Sequence, residues 1–235
     1  MRLYNQRVAV IVYILMLARS LIKDIIPPLK ITDTGERALL WMEEFRMRYL
    51  PVVDATNYLG IISETDILGL ANKAQKLEHH LVPLDRVFIN ENQHVYDAVR
   101  FVTQYKYPMI PVLDNDNHYA GIVTVLDLIE SFAELFAVNG PGGIIQLEVN
   151  HKDYMLSEIA KLVEANDAHI MSLNVNPSPD LLKMEITIKV DRTDLSRIIE
   201  ALYRYNYDVK TFYHQSEFSE DLQDRYEAFM NYLKM

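Results

Sequence analysis

Two stretches of this chain set a hydroxyl and a carboxylate at the same spacing. Gly60-Ile61-Ile62-Ser63-Glu64-Thr65-Asp66 and Gly121-Ile122-Val123-Thr124-Val125-Leu126-Asp127 both read G-x-x-[ST]-x-x-D. A strand that ends in Ser or Thr, followed by an Asp opening a helix, puts both side chains at one mouth. There the hydroxyl and the first-turn N–H groups can meet a phosphate oxygen, because helix N-termini carry partial positive charge. The carboxylate of Asp66 or Asp127 can accept two hydrogen bonds from ribose hydroxyls, each charge-assisted bond worth roughly 1.5–3 kcal/mol. The same residues also make ordinary N-cap boxes, the commoner use of such side chains. Spacing alone leaves both readings open.

The elements that position these motifs come as a repeat. Leu50-Pro51-Val52-Val53-Asp54 aligns with Ile110-Pro111-Val112-Leu113-Asp114 at an offset of 60. Upstream at the same offset, Ala38, Leu39, Met42 and Phe45 match Ala98, Val99, Val102 and Tyr105, which predicts one amphipathic helix per copy. Thr32 or Asp33 is the expected N-cap in the first copy and Asn92 in the second. The motifs themselves lie at an offset of 61, so one residue is inserted between Asp114 and Gly121. Both intervening stretches carry Asn or Asp, as hairpin turns favour, and a turn is where a repeat tolerates a length change. Each copy therefore reads helix, strand, hairpin, strand, and a second helix beginning near Asp66 or Asp127.

Two copies with this order resemble a tandem pair of cystathionine-β-synthase (CBS) domains over about residues 20–136. A single motif is a weak match; its recurrence in register with the helix and the Leu/Ile-Pro-Val stretch makes the signal specific. The resemblance implies a pseudo-twofold module whose clefts bind AMP, ADP, ATP or an adenosyl ligand such as S-adenosylmethionine, with or without Mg²⁺. It further implies that Ser63, Asp66, Thr124 and Asp127 contact phosphate and ribose. Backbone around Leu50-Pro51 and Ile110-Pro111 would line the base pocket. A homodimer and a protein partner are expected on the same ground.

Gly140-Pro141-Gly142-Gly143 holds three of the seven glycines and is the expected boundary, with residues 139–143 as a hinge. The repeats then span 20–81 and 82–138. Beyond the boundary, Ile145, Leu147 and Val149 alternate as a strand, and Met155, Ile159, Leu162 and Val163 recur at helical spacing. Met171, Leu173 and Val175 give a second strand, and Leu182, Met184, Ile186, Ile188 and Val190 a third. A helix from Asp194 carries Leu195, Ile198, Ile199 and Leu202, and Val209 to Tyr213 closes the set. The predicted order over 144–214 is βαββαβ, a ferredoxin-like split unit. The expected class is thus α+β with α/β repeats. Placed after a CBS pair, this half is similar to an ACT-type domain of acetoin-utilisation-type CBS–ACT proteins. The first strand-to-helix turn, Asn150-His151-Lys152-Asp153, lacks the glycine of amino-acid-binding ACT domains.

Composition excludes much else. The 235 residues carry a formal charge of −10, no cysteine and seven glycines, where average usage would give roughly sixteen. No glycine spacing fits G-x-G-x-x-G, G-x-x-x-x-G-K-[ST] or G-x-S-x-G. The absence of cysteine removes disulfides, thiolate metal sites and thiol nucleophiles. Net negative charge argues against a general nucleic-acid binder. The histidines, His79-His80 included, form no recognisable metal spacing, and no pair of carboxylates shows a catalytic spacing. Tyr203-Arg204-Tyr205-Asn206-Tyr207 reads as core and interface packing.

The apolar run Val8 to Ala18 is too short to span a membrane. It fits a secretory h-region without a clean cleavage site, or a stretch upstream of a true start at Met16. Residues 215–235 are expected to add a helix with Leu222, Phe229 and Leu233 on one face. The reading is a non-catalytic, cytoplasmic nucleotide sensor, against a ligand-independent oligomerisation scaffold in which both motifs only cap helices.

Overall fold

The computed structural model describes residues 16–23, 26–80, 84–178 and 182–214. The start of the apolar N-terminal run and the expected C-terminal helix lie outside them. Packing divides the chain into two units, 1–131 and 132–235.

The first unit contains the same fold twice. In the first copy a short strand β1 (Leu29–Lys30) leads into helix α1 (Gly35–Glu44). Strands β2 (Tyr49–Asp54) and β3 (Asn57–Ser63) follow, then the short helix α2 (Glu64–Leu68). The second copy repeats this as β4 (Ile89–Asn90), α3 (Val95–Tyr105), β5 (Met109–Leu113), β6 (Tyr119–Thr124) and α4 (Val125–Leu135). Each makes a three-stranded sheet in which the short strand pairs parallel to the next and the last two form an antiparallel hairpin.

The expected N-caps are corrected by a few residues. Thr34 caps α1, its Oγ1 accepting from the Arg37 N–H at 3.2 Å. Asp33 instead accepts from the Lys30 N–H, closing the turn out of β1. In the second copy His94 caps α3 through Nδ1, while the Asn92 N–H donates to the Asn90 side chain. Polar turn residues before both helices were legible in sequence; which of them starts the helix depends on how the chain leaves the preceding strand.

Leu50 to Val53 and the whole of β5 are buried on both faces, so these strands read as continuous apolar runs. One face of the first hairpin packs with α1 and α2, where Leu29, Ala38, Met42, Leu50, Val52, Ile62 and Ile67 form a core. A second core draws on both copies, with Tyr58 and Ile61 beside Met109, Leu113 and Ile122. The predicted buried stripe of α3 is partly wrong. Phe101 takes the core position, Val102 is half-buried and Tyr105 is exposed, its ring 4.8 Å from that of Phe101.

The two copies exchange their leading segments. Lys23, ahead of the first copy, bridges to Ile122 of β6; Asp85, ahead of the second, bridges to Ile61 of β3. Gly60 sits where this exchange occurs, at φ +152°, beside an irregularity in the β2–β3 register. A Cβ there would lie 2.6 Å from the Leu84 Cβ. Gly121, at φ +143°, faces the same backbone requirement. The glycine of each motif therefore answers to strand geometry.

In the second unit β7 (Gly143–Asn150), α5 (Leu156–Glu164), β8 (Ile170–Pro177), β9 (Lys183–Val190), α6 (Ser196–Arg204) and β10 (Asp208–His214) follow one another in β-α-β-β-α-β order. The sheet order is β10-β7-β9-β8 with every pair antiparallel. Ile145, Leu147, Ile186, Ile188 and Val190 face Ile159, Val163, Leu195, Ile198 and Leu202 in one core.

Several side chains depart from the sequence pattern. Met155 precedes α5 and is exposed. A register irregularity between Ile170 and Ser172 shifts the phase of β8, so Ile170 joins the core and Met171 faces outward. Leu182 lies in the turn before β9 and is exposed. Of the tyrosine cluster only Tyr207 is buried, its hydroxyl donating to Glu158 at 2.6 Å; Tyr203 and Tyr205 are each 54% exposed. Tyr207→Phe is expected to cost about 1 kcal/mol in urea unfolding, a loss that Tyr205→Phe should not produce.

The glycine-rich stretch is packed in the second unit, where a hinge was expected. The division between units falls earlier, inside α4. Gly143 begins β7 opposite Val190, and the Gly140 carbonyl accepts from Lys189 Nζ at 2.9 Å. Gly142 has φ +143° and passes so close to the Val190 carbonyl that a Cβ would overlap it.

Candidate functional site

Both hydroxyl–carboxylate pairs form where a hairpin strand meets a helix. Ser63 ends β3 and Asp66 is the third residue of α2; Thr124 ends β6 and Asp127 is the third residue of α4. The helices thus open two residues before the expected aspartates. Asp66 Oδ2 accepts from the Ser63 N–H at 3.0 Å and from its hydroxyl at 2.5 Å, while the Asp66 N–H donates to Ser63 Oγ at 3.1 Å. The second copy reproduces this with Asp127 Oδ2 and Thr124 at 2.8, 2.6 and 3.2 Å. One more first-turn donor is taken in each copy, as Glu64 N–H meets the Arg48 carbonyl and Val125 N–H meets that of Pro108. Two of the first three N–H groups at each mouth are therefore satisfied within the protein.

Strand register brings the other expected residues alongside. Tyr49 lies opposite Ser63, Leu50 opposite Ile62 and Pro51 opposite Ile61. Met109, Ile110 and Pro111 lie opposite Thr124, Val123 and Ile122. Leu50, Pro51, Ile110 and Pro111 are all buried, and the Leu50 side chain belongs to the core under α1. What Leu50-Pro51 and Ile110-Pro111 can offer a ligand is backbone.

The two carboxylates sit in different surroundings. Asp66 is exposed, and among the described residues its Oδ1 has no partner. Asp127 is 5% exposed, and its Oδ1 lies 2.5 Å from Lys23 Nζ, which also reaches Glu130 at 3.1 Å. Burial pushes the Asp127 carboxyl upward, but the hydrogen bonds from Lys23 and Thr124 outweigh it and hold the group below the usual carboxylate value. The carboxylates of Asp127 and Glu130 raise the Lys23 ammonium in turn.

A depressed folded value contributes stability above the unfolded value near 3.8, and that stability is lost as pH falls through the folded value. Urea unfolding from pH 6 down to 2.5 should therefore show an acid-side loss that Asp127→Asn reduces. An unchanged acid limb in that variant would contradict the pairing.

Sequence reasoning missed Lys23, because nothing local marks a lysine 107 residues from Glu130. It also missed Tyr107, whose hydroxyl donates to Asp85 at 2.5 Å and packs edge-on against Tyr49. Burial and then the Asp85 bond, with a smaller contribution from Asp66, push the Tyr107 hydroxyl up to about 12. Asp114, Asp116 and His118 gather their ligand atoms within 4.8 Å at the β5–β6 hairpin. Asp114 Oδ1 there accepts the N–H groups of Asp116 and His118, which is turn chemistry.

The second unit has a cavity of about 280 Å³ lined by Glu148, Asn150, Asp153, Glu158, Lys183 and Asp208, among others. Glu148 is paired with Lys183 at 2.8 Å and Lys210 at 2.9 Å, and Asn150 donates to Asp153. Among the described residues, no helix is long and apolar enough to cross a membrane.

The CBS domain family model matches residues 22–73 and 82–134. An uncharacterized protein of Methanocaldococcus jannaschii is 25% identical over 128 residues, 48% of this chain and 43% of its own length. The inosine-5'-monophosphate dehydrogenase of the same organism is 29% identical over 110 residues, 46% of this chain and 22% of its own. The chain thus spans less than half of either curated relative. A crystal structure of CBSX2 in complex with AMP covers 50% of this chain and 96% of its own, at 19% identity and a TM-score of 0.44.

Proposed function

We propose that the tandem CBS-domain pair carried between residues 22 and 134, a regulatory and not a catalytic module, binds an adenine nucleotide. The ligand is AMP, ADP, ATP or S-adenosylmethionine, with or without Mg²⁺. The observation that carries this reading is the hydroxyl–carboxylate pair, held in the same geometry at two equivalent strand ends. Ser63 and Thr124 meet phosphate, Asp66 and Asp127 accept from ribose hydroxyls, and backbone at Leu50-Pro51 and Ile110-Pro111 meets the base. AMP is the ligand of CBSX2, and the same ligand class is assigned here on the chemistry of the motif.

Occupancy then shifts the module between two arrangements, as it can only for a ligand that prefers one of them. The signal passes to the second unit, read as ACT-like from its β-α-β-β-α-β order, or to a protein partner. A cytoplasmic homodimer completes the proposal.

One observation favours the alternative of a ligand-independent oligomerisation scaffold: both boxes are closed by their own side chains, as plain helix caps would be. Isothermal titration of the full chain with AMP, ADP, ATP and S-adenosylmethionine separates the two. A bound ligand at 100 times its Kd should stabilise the protein by about 2.7 kcal/mol. Silence at millimolar concentration of all four, with no thermal upshift, would leave the scaffold.

A further inference from the structure

We propose that Lys23 occupies the second motif from within the chain, so that the two hydroxyl–carboxylate pairs are unequal and a nucleotide enters at Ser63 and Asp66. This inference rests on the nucleotide reading above and names the residue that ranks its two sites.

At the second motif both carboxylate oxygens are engaged. Asp127 Oδ2 accepts from Thr124, and Oδ1 faces Lys23 Nζ at 2.5 Å. Glu130, one helical turn along the same face, holds that ammonium from a second side at 3.1 Å. The segment bearing Lys23 is tied down by its backbone. Ala18 and Arg19 N–H groups donate to the carbonyls of Gln93 and Glu91, and Lys23 itself bridges to Ile122. Ribose hydroxyls would compete with Lys23 for Asp127 Oδ1, and displacing the ammonium would leave a carboxylate that is 5% exposed without its cation.

The exchange of leading segments makes the comparison internal. The residue that bridges to Ile61 in the first copy, where Lys23 bridges to Ile122 in the second, is Asp85. Its carboxylate accepts from the Tyr107 hydroxyl and offers Asp66 no cation. Equivalent positions thus carry opposite charges, and Asp66 keeps an oxygen open at an exposed mouth. Among the described residues, one duplicated motif is closed by an ammonium and the other is not.

Isothermal titration of the full chain with AMP tests this. The wild-type protein should take up one equivalent, and Asp66→Asn should weaken it roughly 10–100-fold. Lys23→Met should add a second equivalent, tightened roughly 10–100-fold from an affinity too weak to register. Lys23→Met combined with Asp66→Asn should keep one. Lys23→Gln, which retains a polar end, serves as a second variant, with circular dichroism to verify the fold of each. Two equivalents of similar affinity in the wild-type protein would overturn the inference while leaving nucleotide binding intact. A loss of binding on Lys23→Met would also overturn it, by making the ammonium a phosphate ligand. If wild-type and Lys23 variants are all silent at millimolar AMP, ADP, ATP and S-adenosylmethionine, nucleotide binding itself falls, and this inference with it.

Discussion

Gly142→Ala is expected to destabilise the second unit by about 3 kcal/mol, through backbone strain and overpacking together. The residue has φ +143°, a conformation that L side chains rarely adopt, and an added Cβ would overlap the Val190 carbonyl. Neither problem can be relieved by turning a side chain, because the obstacle is backbone in the strand that pairs with β7. Gly140→Ala, two residues away, meets only the Ala137 carbonyl at 3.5 Å, an ordinary contact, and should be near neutral. Urea unfolding of both variants followed by far-ultraviolet circular dichroism provides the comparison. Equal and small losses would show that the chain at Gly142 relaxes freely and that the packing argument against a hinge there is wrong.

Asp66→Ala should weaken AMP binding at the first motif by roughly 10–100-fold. The carboxylate also closes a capping box with Ser63, so the variant loses stability on either reading of the motif, about 1 kcal/mol for a lost cap. Stability alone therefore decides nothing, and affinity does. Ser63→Ala removes the cap acceptor from the Asp66 N–H, and with it the hydroxyl proposed to meet phosphate, while retaining the carboxylate. If Asp66→Ala and Ser63→Ala lower the unfolding midpoint equally and neither changes AMP affinity, the motif is a cap. If affinity falls with both variants, the hydroxyl and the carboxylate both contact the ligand, as proposed.

The duplicated fold was legible because it rests on local signals. Ala38 and Met42 recur at helical spacing and are buried, and the alternation of Ile186, Ile188 and Val190 survives as the inner face of β9. Where that reading failed, a non-local event intervened. The irregularity at Ile170 and Ser172 moved Met171 outward. Phe101 replaced Tyr105 on the buried face of α3, and Thr34 and His94 took over as caps because the preceding chain uses Asp33 and Asn90 to turn. Gly60 and Gly142 both sit at positive φ where another backbone segment passes close by, a requirement that neither local spacing nor composition displays.

Sequence alone determined the repeat, the order of elements in both halves and the identity of the hydroxyl–carboxylate pairs. Each follows from spacing within about sixty residues, and spacing is what a linear chain displays. It also excluded glycine-rich phosphate loops and cysteine chemistry, which are matters of composition. The tertiary structure decided that the two pairs differ. Lys23 reaches Asp127 and Glu130 because the copies exchange their leading segments, and Asp85 takes the corresponding place beside Ile61. A contact spanning 107 residues leaves no periodicity to read. Whether a carboxylate faces solvent or an ammonium is set by which segment folds over it.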